Sequence, residues 1–250
     1  MNLRYITCSD PREHLAVVDV MNLLKMYPVA ELGVQAQPSA MSFGLRRNIW
    51  FDLILHSASV ARVPVNVAVH VNYEWCDDLC SGKIPYEIKN WMNRFNIYNN
   101  APVVRRWQLN IGDGTRNFDT VAIAKLIREH PRNEFIFPYN DGVKDKIDAL
   151  YKTGIKFSLL YDSSYGYGVS PEKWEVPVYE DIPMGYAGGL SPENVIDNLN
   201  KINAQVPKNY TTWIDAEGRL MKPGTRELDL ERAHAYIQNA LAWQYKQNKR

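Results

Sequence analysis

Cysteine is scarce in this chain, with only Cys8, Cys76 and Cys80 among 250 residues. A sparse, odd-numbered set excludes the disulfide framework of a small secreted domain. Cys76 and Cys80 are four apart and would share a helical face, but no evident ligands nearby complete a tetrahedral metal site. Charge of one sign is also missing. Lys and Arg total 29 against 28 Asp and Glu, a net charge of +1, so the chain lacks the basic footprint of a nucleic-acid or membrane-surface protein. Lys246, Lys249 and Arg250 read as the solvated end of a helix.

Long apolar runs are absent as well. Asp19 interrupts the best candidate, Leu15 to Leu24, so neither a signal peptide nor a spanning helix is expected, and the expected location is cytoplasmic. Without export, the glycosylation pattern Asn209-Tyr210-Thr211 is a chance match. Of the five histidines, His14, His56, His130 and His234 fall in helical patterns and only His70 in a strand. That distribution speaks against a barrel hydrolase with metal ligands at its strand tips. No Gly-x-Gly-x-x-Gly follows the first strand, which removes the best support for a dinucleotide fold.

What remains suits a large core. With 46% hydrophobic residues over this length, one domain spanning 1–250 is expected. Short apolar runs ending in polar or glycine residues predict strands at Leu3–Cys8, Glu31–Gln37, Val65–Asn72, Arg106–Ile111, Glu134–Asn140, Lys156–Ser163, Met184–Leu190 and Thr211–Gly218. Between them the spacing turns helical, as at Ile123, Leu126, Ile127 and His130, at Val143, Ile147, Leu150 and Tyr151, and at Leu230, Ala233, Ile237, Ala240 and Leu241. Repeated strand–helix units in an α/β chain of this size predict a closed (β/α)8 TIM barrel; the alternative is an open doubly wound sheet. Two long connections, Pro38 to Arg47 and Tyr73 to Pro102, either cover the mouth or run over the surface.

Alternation along the strands sorts their side chains. Val65, Val67, Val69 and Val71 share one face, to be covered by helices, and Asn66, Ala68, His70 and Asn72 share the other. By the same parity Gln35 and Gln37, Gln108 and Asn110, and Asp215 and Glu217 point into the barrel. They either line a hydrogen-bonded cavity at the mouth or satisfy one another in the core.

Gly185-Tyr-Ala-Gly-Gly-Leu-Ser-Pro-Glu-Asn-Val195 runs from a strand through Gly188-Gly189 into a helix start, with Ser191 as N-cap and Pro192 at the first helical position. Glycines and a helix N-terminus together make an anion cradle, with phosphate its natural guest. Asp162 stands at a strand tip before a loop containing Gly166 and Gly168, placed either to donate a proton or to cap the loop. Cys8 ends the first strand beside the turn Ser9-Asp10-Pro11, either as a reactive thiolate or as a small buried hydrophobe.

These residues resemble the phosphoribosylanthranilate isomerase family, the barrel of the tryptophan pathway. Leu159-Leu-Tyr-Asp162 with Gly166-Tyr-Gly168 and Trp174 is similar to its sixth strand and Gly-rich loop. Ala187-Gly-Gly-Leu-Ser-Pro-Glu-Asn-Val195 is similar to its seventh-strand phosphate motif. Ile214-Asp215-Ala-Glu-Gly218 with Lys222-Pro-Gly224 and Leu228-Asp-Leu-Glu231 is similar to its eighth strand and the run into its last helix. The resemblance implies an Amadori-type aldose–ketose isomerisation of a phosphorylated sugar derivative, without metal or cofactor. It implies Asp162 as general acid and Cys8 as general base. Phosphate would be held by Gly188, Gly189, Ser191, Glu217 and Gly218. Arg46 or Arg47 would hold a substrate carboxylate; Gln108, Asn110 and His70, inward by strand parity, are the further candidates for substrate contact. Glu217 departs from the family's Ser-Ser-Gly phosphate loop, and a carboxylate there opposes an anion. Asn110 stands where the family has a His.

Overall fold

The computed structural model describes residues 1–111, 118–162 and 168–249. Ser163, Gly166 and Arg250 lie outside the described residues. Eight parallel strands close into a barrel in chain order: β1 (Asn2–Ser9), β2 (Ala30–Ala36), β3 (Asn66–Val71), β4 (Val104–Leu109), β5 (Glu134–Pro138), β6 (Ser158–Asp162), β7 (Met184–Ala187) and β8 (Thr211–Ala216), which returns to β1. This is the TIM barrel, and the open-sheet alternative is excluded by the β1–β8 pairing. Around it run α1 (Val17–Met26), α2 (Pro38–Met41), α3 (Arg46–Ser59), α4 (Tyr73–Cys80), α5 (Tyr86–Met92), α6 (Thr120–Glu129), α7 (Lys144–Tyr151), α8 (Val195–Asn203) and α9 (Leu230–Asn248).

The helices follow their apolar stripes, and two of them, α6 and α9, also carry a side-chain cap. Asp119 accepts from the N–H groups of Val121 and Ala122 to start α6, and Asp229 does the same for Glu231 and Arg232 at α9. Such a cap stabilises a helix start by about 1 kcal/mol. Ile123, Leu126 and Ile127 then face the barrel, as do Val195, Leu199 and Ile202 of α8 and Ala233, Ile237 and Ala240 of α9. Both long connections carry helices. The first contains α2; the second contains α4 and α5, with Trp75 and Trp91 buried edge to face.

One repeat departs from expectation. Between β6 and β7 no helix occurs among the described residues, because Pro171, Pro177 and Pro183 recur too closely for a helix to propagate. Trp174 fills the vacant outer layer, packed edge to face on Tyr161 and Tyr186, and its indole N–H donates to Asn198 Oδ1 at 3.1 Å. Most of the predicted strands run one to three residues further at their C-terminal tips than the observed ones; β1 instead reaches Ser9. The extra residues, among them Gly188 and Glu217, belong to the loops that shape the mouth.

Strand parity holds throughout. Val67, Val69 and Val71 are buried in the layer between barrel and helices, and Asn66, Ala68 and His70 point inward. Deep in the barrel, Arg106 donates to Glu31 Oε2 at 2.5 Å and lies 3.5 Å from Glu134. Its guanidinium is sandwiched between the rings of Trp213 and Tyr5, 4.1 and 4.8 Å from their centroids. Thr7 donates to Glu31, and Ser158 and Arg4 donate to Glu134. Burial pushes Glu31 up against the pull of Arg106. Glu134 feels burial too, but Arg106 and Arg4 prevail and hold it below its ordinary range. These charges are tolerated only as a set, since removing one partner leaves another buried alone. Ile136, Leu160, Trp213 and Tyr5 complete an apolar plug. Above that plug the barrel opens.

Among the described residues no helix is long and apolar enough to cross a membrane, and no cluster of His, Cys, Asp or Glu is arranged to hold a metal ion.

Candidate active site

A polar cavity of about 1240 Å³ occupies the C-terminal end of the barrel, where the loops leaving the strands meet. Each strand contributes through its inward-facing tip. Gln35, His70, Asn72, Gln108, Asn110, Asp162, Asp215 and Glu217 all line the cavity, together with Asp10, Arg12 and Arg47. Of the two alternatives for the polar residues near the strand ends, lining the mouth is the one realised. Core self-satisfaction applies one layer lower, at Glu31, Arg106 and Glu134.

The centre of the floor is Asp215. Ser9 Oγ donates to its Oδ1 at 2.6 Å, and His70 Nε2 lies 3.7 Å from Oδ2, too far for a hydrogen bond. The grouping depends on Gly33 of β2, which stands between β1 and β3. A Cβ at Gly33 would fall 2.4 Å from Ser9 Oγ and 2.9 Å from His70 Nε2, so only glycine lets these side chains meet across the strand. Burial pushes Asp215 up to about 7, reinforced by nearby Asp162 and opposed by Ser9 and Arg106. Burial also brings His70 down to about 4, so the imidazole is neutral at neutral pH and the contact with Asp215 is not an ion pair. A buried carboxyl poised near neutrality beside a second carboxyl is equipped to take and give protons.

Asp162 keeps its expected place at the tip of β6, lining the cavity. Cys8 does not, and this corrects its assignment as a base. Thr7 and Ser9 point inward on β1, so Cys8 points outward with Ile6, buried in the apolar layer near Tyr236 of α9. Burial pushes its thiol up, further from the reactive thiolate. The bland alternative, a small buried hydrophobe, describes it.

The two arginines separate as well. Arg47 lines the cavity and pairs with Asp10 at 2.5 Å, and Asp10 also pairs with Arg12. Arg46, at the first residue of α3, is exposed and does not line the cavity, because the helix turns the neighbouring position outward. Asp10 holds a left-handed backbone (φ 56°) that a non-glycine residue adopts at a cost, with its carboxylate clamped between both guanidinium groups.

At the expected anion cradle, Gly188 (φ 129°) and Gly189 (φ 60°) take conformations suited to glycine and line the cavity with Leu190 and Gly218. Ser191 is a correction. It does not line the cavity and is not the helix N-cap, which is Asn194, since α8 begins at Val195 and Pro192 lies in the turn before it; the Ser191 N–H donates to Asn194 Oδ1 at 2.8 Å, while Asn194 Nδ2 donates to Gly189 O. Gly168 to Ser170 lies against the outer side of Gly189, with Ser170 Oγ donating to Gly188 O and Arg219 Nε to Gly168 O. Glu217 turns inward to accept from Gln35 Nε2 at 3.0 Å. Although it reaches solvent, loss of hydration between the rims, followed by the facing Asp10 and Asp215, pushes it up to about 7.

No family model matches the chain, and no curated protein matches it in sequence. Among solved structures it is similar to N-(5'-phosphoribosyl)anthranilate isomerase from Pyrococcus furiosus, with a TM-score of 0.53, 13% identity, and coverage of 95% of this chain and 98% of that one. The likeness is one of fold. It extends over nearly the whole barrel, including the first 155 residues, where the sequence offers little motif.

Ser9, Asp10, Arg12 and Gly33 were not anticipated as site residues. Strand parity could have found Ser9, which is two residues after Thr7, and Gly33, which is two before Gln35. Asp10 was read only as part of the turn Ser9-Asp10-Pro11; the tolerance of Asp for a left-handed backbone is a weak signal that does not by itself mark a site residue.

Proposed function

We propose that this barrel is an acid–base isomerase acting on a phosphorylated sugar derivative by an Amadori-type aldose–ketose conversion, with Asp162 and Asp215 moving the protons. Ring opening needs a proton at the ring oxygen as the C–O bond breaks. Enamine formation then needs a base to remove the proton from the adjacent carbon. Asp162 is the donor and Asp215 the base, replacing the role the resemblance gave to Cys8. The observation that carries the reading is Asp215 itself, 6% exposed, pushed up to about 7 and facing Asp162 at the floor of the cavity. Support for a phosphorylated substrate comes from Gly188, Gly189 and Leu190 on the cavity wall with Arg219 at its rim.

A second reading rests on Glu217 and Asp10. Both carboxylates face the mouth; Asp10 is offset by Arg12 and Arg47, but an ionised Glu217 at about 4 Å would oppose an anion by about 1 kcal/mol even in bulk water. The same acid–base pair would then serve an unphosphorylated substrate, in lyase or aldolase chemistry. Freshly made phosphoribosylanthranilate, followed by loss of its fluorescence beside a coupled indole-glycerol-phosphate synthase, separates the two. Turnover that falls at least about 100-fold in Asp162→Asn supports the isomerase. No turnover above background, under conditions where an authentic isomerase works, favours the second reading.

A further inference from the structure

Four carboxamides run round the cavity mouth from β4 to β2 and end on a carboxylate. Gln108 Nε2 donates to Asn110 Oδ1 at 2.8 Å, Asn110 Nδ2 to Asn72 Oδ1 at 2.9 Å, Asn72 Nδ2 to Gln35 Oε1 at 2.7 Å, and Gln35 Nε2 to Glu217 Oε2 at 3.0 Å. Every amide donates in the same direction. That direction is fixed in the middle, because Asn72 Nδ2 also donates to the His70 carbonyl at 2.9 Å, and a carbonyl can only accept. Asn72 therefore cannot turn over without setting its own oxygen against that carbonyl. With Asn72 fixed, Gln35 must present N–H to Glu217. Asn110 must give N–H to Asn72 and take N–H from Gln108. Among the described residues no donor serves Gln108 Oε1, and Gln108 lines the cavity.

We propose that Gln35, Asn72, Asn110 and Gln108 act as one directional hydrogen-bond chain through which Glu217, on the far side of the mouth, sets the strength of the acceptor that Gln108 offers to a ligand hydroxyl. Hydrogen bonds in series polarise one another, and an ionised acceptor at the end strengthens each donor–acceptor pair behind it. The ligand class is one that brings hydroxyl donors to the β4 side of the cavity, a sugar or polyol. Asn72 and Glu217 are positioning residues in this scheme. It holds whichever reaction the cavity performs, so its failure leaves the isomerase reading untouched.

Glu217 is faced by Asp10 and Arg12 from the loop after β1, by Gln35 from β2 and by Asp215 of β8, the strand that it follows. Arg47 of α3, His70 of β3 and Asp162 of β6 line the same cavity. The test must separate Glu217 from these. In the full chain, the side-chain amide signals of Gln35, Asn72, Asn110 and Gln108 are followed by 1H–15N NMR as pH is raised, each assigned by substitution. All four are expected to shift with one shared midpoint. Glu217→Gln should abolish that midpoint, and Asp215→Asn should lower it, by removing a facing charge, without abolishing it. Gln35→Leu should remove it from Asn72, Asn110 and Gln108. Asn72→Leu should remove it from Asn110 and Gln108 alone, so either cut tests the chain if the other variant folds poorly. Asn110 and Gln108 signals that ignore the titration in the unaltered protein would overturn the proposal, as would signals that still follow it after either cut.

Discussion

Asp215→Asn removes a carboxyl that the fold holds protonated over a wide pH range, and the consequence for stability can be worked out. The group titrates near 3.8 in an unfolded chain and at about 7 in the barrel. A carboxyl raised in this way contributes stability that is fully present below its unfolded value and is lost as pH rises through its folded value, because ionisation then favours the unfolded chain. At about 1.4 kcal/mol per unit, the loss amounts to about 4 kcal/mol in full, of which about 3 kcal/mol falls between about pH 5 and pH 8. Asn keeps an oxygen for the Ser9 hydroxyl and cannot ionise. Urea unfolding of the two proteins at the two pH values measures the effect directly. The unaltered protein should weaken more than Asp215→Asn by about 3 kcal/mol over that interval, and Glu217, relieved of the facing Asp215 charge in the variant, changes the difference in the same direction. The same pH slope in both proteins would show that Asp215 is not held protonated, and the acid–base assignment would lose its physical basis.

Three further perturbations test other parts of the barrel. Gly33→Ala would drive a methyl to 2.4 Å from Ser9 Oγ; overpacking and loss of the Ser9–Asp215 hydrogen bond should together cost about 3 kcal/mol in urea unfolding and lower turnover. Arg106→Met should destabilise by about 3 to 5 kcal/mol, since Glu31 is left buried without its ionic partner while Glu134 keeps Arg4 and Ser158, and a stability within about 1 kcal/mol of the original would show that Glu31 is already neutral. Inorganic phosphate should bind beside Gly188, Gly189 and Leu190, more tightly in Glu217→Ser; calorimetry showing no binding at saturating phosphate in either protein would favour an unphosphorylated substrate.

The barrel was legible because each strand carries its own alternation and each helix its own stripe, both of which are local. His70, Gln108 and Asp215 could be assigned inward from parity alone. The sequence misled at Cys8 because position at a strand end was read as position on the active face. One residue of pleat decides the matter, and the inward tip of β1 is Ser9. Ser191 failed for a related reason: it was read as the N-cap of an open helix start, but the helix begins four residues on at Val195 with Asn194 at its N-cap, and Asn194 Oδ1 takes the Ser191 N–H. Between β6 and β7, where a helix was expected and none occurs among the described residues, the closely spaced Pro171, Pro177 and Pro183 are the signal that could have corrected the expectation. The amide chain was not, because it joins β4, β3, β2 and β8 through side chains whose separations depend on the register of the closed barrel.

The most direct test of the acid–base assignment is the turnover of phosphoribosylanthranilate by three proteins side by side: the unaltered chain, Cys8→Ser and Asp215→Asn. Cys8→Ser should stay within about 3-fold of the unaltered rate, because its thiol faces the helices, and Asp215→Asn should fall by at least about 100-fold. A Cys8→Ser protein that folds but loses turnover, with Asp215→Asn still active, would contradict the assignment.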